Sequence, residues 1–169
     1  MTTLADFGDD EITQLLEAPG AVLKAVIVAD GKPRSIGFLK ATARAAKVFR
    51  AAQEDENDMV RAVALALRDR NPGDPDGEDD EPSGSDDYLW PDSEREATRA
   101  VELVAASITL LRGRADDEDV DAYGAWLVRI ATQVAEATTT KEGGLFGKRV
   151  AVSENEQALI ERLATAVSR

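Results

Sequence analysis

AVLKAVIVAD, residues Ala21 to Asp30, is the stretch on which the fold turns. Its valines and isoleucine suit a β-strand, and Asp30-Gly31 suits a hairpin turn. The same run is apolar enough for the buried face of a helix. An internal comparison separates the two. APGAVL, Ala18 to Leu23, shares four of six residues with AYGAWL, Ala122 to Leu127. The second copy lies in a clear helical pattern, in which Val120, Tyr123, Leu127, Ile130, Val134 and Ala137 alternate spacings of three and four. Each copy is followed by a glycine-containing loop and another helical pattern. Helix is therefore the reading in both places. The chain is expected to be all-α, a bundle of six or seven helices in two halves that a degenerate duplication would relate.

Working outward, Glu11 to Leu16 reads as a short helix, and Pro19 suits the first turn of the next. Phe38, Ala41, Ala45, Val48 and Ala52 form one apolar stripe, and Met59, Val60, Val63 and Leu67 another. Ser93 with Glu96 has the capping-box pattern at a helix start. Ala97, Val101, Val104, Ala105, Ile108 and Leu111 follow on one face, and Gly113 ends that helix. Asp116 to Asp121 is an acidic first turn that suits the helix dipole. The last helix starts at Ser153, with Leu159, Ile160, Leu163 and Val167 inward. Gly20 and Gly124 fall inside or near the start of helices, where glycine costs about 1 kcal/mol relative to alanine. Close helix crossings are expected at both.

A length of 169 residues suits one helical domain, 1–169. The net charge of −13 is concentrated: Asp69 to Glu96 holds 12 acids and two bases, whereas the remainder sets 21 acids against 18 bases. Residues 71–90, NPGDPDGEDDEPSGSDDYLW, read as a disordered acidic linker within the domain, rich in Pro, Gly, Ser and Asp. With the body nearly balanced, nucleic acid is not an expected partner, because phosphate neutralisation needs a basic stripe. No apolar run reaches the roughly 18 residues of a membrane span, so no membrane insertion is expected. MTTLADFGDDE is acidic where a signal peptide is basic, which points to the cytoplasm.

The chain has no cysteine and, with no histidine, no imidazole base. Disulfides, zinc–thiolate sites, Ser-His-Asp triads and Cys-His pairs are excluded. GGLFGKRVAVSENE, Gly143 to Glu156, resembles a phosphate loop but does not meet its geometry. Gly147-Lys148 needs a glycine at position 142, which holds Glu142, and a hydroxyl at position 149, which holds Arg149. Asp117, Asp119 and Asp121 occupy EF-hand positions one, three and five. Ala122 and Val128 stand where that loop needs glycine and glutamate. The aspartates read as a helix start; Asp74 and Asp76 of the linker fail the same pattern, and loose Ca²⁺ or Mg²⁺ association by the linker is the functional alternative. The many carboxylates carry no signal of a paired glycosidase site.

Tyr88, Leu89 and Trp90 are the apolar residues of the acidic stretch. They read as an anchor for its end on the helical body, or as an acidic–aromatic motif for a protein partner. Leu145 and Phe146 are expected to tuck onto the core. Lys148 and Arg149 form a basic pair expected to attract the acidic segment or a partner's acids.

Two short elements carry a family resemblance. VADGK, Val28 to Lys32, and VSENEQALIERL, Val152 to Leu163, resemble loop and helix-start motifs of the TerB-like domains of tellurite-resistance proteins. The resemblance implies two related helical halves, a cytoplasmic role in bacterial stress response, and divalent-metal binding by acidic side chains. Asp30, Glu154 and Glu156 are the residues that carry over. Lys32, Pro33, Arg34 and Ser35 stand where the pattern has glutamates. The expected function is a non-enzymatic interaction protein without a cofactor, binding a protein partner or itself. The alternative is a Ca²⁺-, Mg²⁺- or Mn²⁺-binding stress protein using Asp30, Glu154, Glu156, Asp117, Asp119 and Asp121.

Overall fold

A computed structural model describes residues 3–70, 90–138 and 152–169. Among these it holds six α-helices, one short 3-10 turn at Leu4–Asp6, and no strand. The helices are α1 (Asp9–Ile27), α2 (Ser35–Ala52), α3 (Asp58–Arg70), α4 (Ser93–Arg112), α5 (Asp117–Thr138) and α6 (Glu154–Ser168). The acidic linker, apart from Trp90, lies outside the described residues, as does the segment 139–151.

α5 is the axis of the bundle. Val120, Tyr123, Gly124, Trp126, Leu127, Ile130, Ala131, Val134 and Ala135 are all buried. A helix buried over so wide an arc must be surrounded, and α5 packs against each of the other five helices. α1 and α5 run upward, while α2, α4 and α6 run downward. Side-chain ties mark the two ends. At the upper end Lys24 Nζ pairs with Glu96 at 3.2 Å, and Thr138 Oγ1 donates to Glu156 Oε1 at 2.7 Å. At the lower end Arg114 pairs with Glu11 at 2.8 Å, and Arg112 donates to the Val167 carbonyl at 3.1 Å. α3 lies across the lower end, where the Arg70 guanidinium donates to Thr13 Oγ1 at 3.2 Å.

AVLKAVIVAD is helical as far as Ile27, and Gly31 then turns the chain with φ 87°. Pro19 does not start a second helix. One helix runs continuously from Asp9 to Ile27 with Pro19 buried inside it. A proline there lacks the N–H that would bond the carbonyl four residues back, which is that of Leu15. The Tyr123 hydroxyl of α5 donates to that carbonyl at 2.7 Å. Ser107 of α4 adds a long contact of 3.5 Å to the Gln14 carbonyl beside it. Tyr123 is fully buried, so its phenol is pushed well above the ordinary tyrosine range near 10, partly offset by a hydrogen bond with Ser107. It stays a neutral donor.

Two other expectations change. Ser93 does not cap α4. Asp92 does, accepting from the Arg95 amide at 2.8 Å. Glu96 is thereby free to turn inward to Lys24. The Ser153–Glu156 capping box does form, with Glu156 N–H donating to Ser153 Oγ at 3.1 Å and Ser153 N–H to Glu156 Oε2 at 3.0 Å. The two hexapeptide glycines also part company. A Cβ on Gly124 would lie 3.0 Å from Val167 Cβ and 3.4 Å from Ile108 Cδ1, so α5 does cross α4 and α6 closely there. Gly20 is exposed, with nothing within 4 Å of a Cβ, so no crossing explains it.

Gly20→Ala is expected to raise stability by about 0.5–1 kcal/mol through helix propensity. Gly124→Ala is expected to lower it by about 1–3 kcal/mol through overpacking. Thermal melts of the two variants check this. Tyr123→Phe is expected to cost about 1–3 kcal/mol by orphaning the Leu15 carbonyl. In a Pro19→Ala background most of that cost should vanish, because an alanine at that position restores the backbone donor. Urea denaturation of the four chains measures the coupling, and simple additivity would contradict it.

Candidate interaction surface

Between Gly31 and Gln53 the chain carries six bases and no acid: Lys32, Arg34, Lys40, Arg44, Lys47 and Arg50. All six are exposed. Among the described residues none of them makes an ion pair, whereas Lys24, Arg61, Arg68, Arg114, Arg129 and Arg162 each do. The helical period of 3.6 sorts α2 into two faces. Ala41, Ala45, Val48 and Ala52 are buried against the body, with Phe49 edge-on to Trp126 at 5.7 Å. Lys40, Ala43, Arg44, Lys47 and Arg50 point the other way. On that outer side Ile36 and Leu39 are 71% and 69% exposed, the only large apolar side chains so open among the described residues.

This face contradicts local helix electrostatics. Lys40/Arg44, Arg44/Lys47 and Lys47/Arg50 are like-charged pairs three or four apart, each unfavourable by about 0.2–0.5 kcal/mol. α2 also has no acid in its first turn, and its N-cap, Arg34, makes no side-chain capping bond. A cation there opposes the helix dipole. An anionic chain laid along the face would relieve the repulsion, and Ile36 and Leu39 would supply apolar contact. At the upper end of the face Phe38 meets Trp90 edge-on, with ring centroids 6.3 Å apart. Trp90 therefore anchors the end of the acidic stretch on the helical body.

The expected metal residues are not gathered. Asp30 Oδ1 accepts from Asn155 Nδ2 at 2.9 Å, which brings the VADGK loop beside the start of α6. Glu156 has both oxygens engaged, by Thr138 and Ser153, and Glu154 is exposed. Asp117, Asp119 and Asp121 sit at the opposite end, in the opening turns of α5. Asp119 Oδ1 there accepts from Asn57 Nδ2 at 2.9 Å. Asn57 in turn accepts from the Val60 amide at the start of α3. No group of three or more acidic side chains that could hold a metal occurs among the described residues. Tyr88, Leu89, Leu145, Phe146, Lys148 and Arg149 lie outside the described residues.

A small open cleft of about 130 Å³ lies between the loop after α1 and the starts of α4 and α6. Its charged lining is self-satisfied, with Arg162 donating to Glu94 Oε1 at 3.0 Å and to Thr98 Oγ1 at 3.2 Å. No helix among the described residues is long and apolar enough to cross a membrane. The basic face of α2 escapes a sequence reading that averages charge over the body. The signal is present as a 21-residue interval, 32–52, without an acid. No family model, curated protein or solved structure matches the chain.

Proposed function

We propose that the chain is a non-enzymatic interaction protein that uses the outer face of α2 to bind an acidic, leucine-bearing segment of a protein partner. The observation that supports this is the coincidence, on one helix face, of cations that make no ion pair among the described residues with exposed Ile36 and Leu39, at the cost of local helix stability. Residues that break local rules without a structural return mark places under functional demand. A protein rather than a nucleic acid is the favoured partner, because the apolar pair asks for aliphatic contact and the chain's net charge of −13 opposes a long polyanion.

Fluorescence anisotropy with a labelled peptide of Glu and Asp interspersed with leucine tests this on the full chain. Binding is expected to weaken roughly tenfold for Lys40→Glu with Arg44→Glu, which is about 1.4 kcal/mol. It should also weaken as salt rises. No binding by the unaltered chain, or tighter binding of single-stranded DNA than of the peptide, would overturn the assignment.

A second reading, divalent-cation binding in a stress-response role, is favoured by the Asp30–Asn155 hydrogen bond, which joins the two segments that resemble TerB-like motifs. Calorimetry with Ca²⁺, Mg²⁺ and Mn²⁺ separates the two. Under the interaction reading no saturable micromolar site appears. One stoichiometric site, lost on Asp30→Asn, would put the metal reading first.

A further inference from the structure

We infer that the first occupant of the α2 face is the chain's own acidic segment, Asp74 to Asp87, and that a partner must compete with it. The inference rests on the binding reading above. Between Asp74 and Asp87 there are eight acids and no base, against six cations that have no ion-pair partner among the described residues. The attachment points suit this pairing. The segment leaves α3 at Arg70, which is tied to Thr13 at the lower end. It rejoins the body at Trp90, against Phe38 at the upper end of α2. The outer face of α2 runs between the same two levels as these attachment points.

Reach is ample. α2 is roughly 27 Å long at 1.5 Å per residue, whereas the twenty steps from Arg70 to Trp90 can span up to about 70 Å. Tethering at both ends gives an effective concentration on the order of millimolar, enough for weak charge pairing to hold the segment in place. The acidity of the segment then has a mechanical use. It neutralises the like-charge repulsion of α2 until a better-matched acidic segment arrives.

The test compares the full chain with a full-length variant carrying Glu78→Gln, Asp79→Asn, Asp80→Asn, Glu81→Gln, Asp86→Asn and Asp87→Asn. Far-UV circular dichroism confirms that both are folded. Acetylation rates of Lys40 and Lys47 are read by mass spectrometry, with the Glu96-paired Lys24 as internal reference. Both rates are expected to rise about threefold or more on neutralisation, independent of protein concentration, and the labelled acidic peptide to bind the variant about tenfold more tightly. Equal lysine reactivity with equal peptide affinity would overturn self-docking and leave the binding reading standing. Peptide binding by neither chain would remove the binding reading, and lysine protection would then decide self-docking by itself. Protection that grows with protein concentration would assign the segment to a second copy and overturn the intramolecular inference.

Discussion

The bundle depends on one backbone carbonyl. Pro19 withdraws the donor that Leu15 C=O needs, in a helix whose inner side is fully buried. A buried unsatisfied carbonyl costs about 1–3 kcal/mol, a large share of a domain's net stability. The chain meets this from outside the helix, with the Tyr123 hydroxyl. That bond holds the middle of α1 to α5, on the same side as the buried faces of both helices. α4 is drawn in at the same level by Ser107. Of the two hexapeptides that suggest a duplication, one holds Pro19, which removes the backbone donor, and the other holds Tyr123, which replaces it.

Once α1, α4 and α5 are fixed, the remaining helices have prescribed places. α6 closes over Gly124, where the missing side chain admits Val167. α2 lies on the flank of α5 through a row of alanines and one valine, with Phe49 against Trp126. Small residues permit close approach and ask little of the helix that carries them. The outer side of α2 is thus released from any role in the core. Together with Lys32 and Arg34 just before the helix, it carries six cations that form no ion pair among the described residues, and two exposed aliphatic side chains. The interaction reading follows from that separation of duties.

Much of the architecture is legible in the sequence, and the misreadings share a cause. The stripes of α4, α5 and α6 follow periodicity, which tertiary packing obeys. Pro19 reads by local preference as a helix start, but the Leu15 carbonyl it leaves without a donor is satisfied by a tyrosine 108 positions away, beyond any local rule. Ser93 and Glu96 have the capping-box pattern, but Asp92 is the cap and Glu96 pairs instead with Lys24 of another helix, a partner outside any local pattern. Gly20 and Gly124 are alike in sequence and opposite in surroundings, since only azimuth on the helix separates a crossing from open solvent. The basic outer face of α2 is the least legible feature. Net charge over the whole body conceals a helix that is basic on one side, and Asp117 draws attention through its spacing although it lies at the opposite end from the Asp30 loop and the start of α6.

The most direct test of the α2 assignment is residue-resolved. ¹⁵N-labelled full-length chain is titrated with the acidic, leucine-bearing peptide, and amide chemical-shift changes are mapped. Changes concentrated from Ile36 to Arg50, largest on the outer side at Leu39, Lys40, Ala43 and Lys47, are the predicted result. Changes centred instead on Asp30 and Asn155, or on the cleft lined by Glu94 and Arg162, would contradict the account.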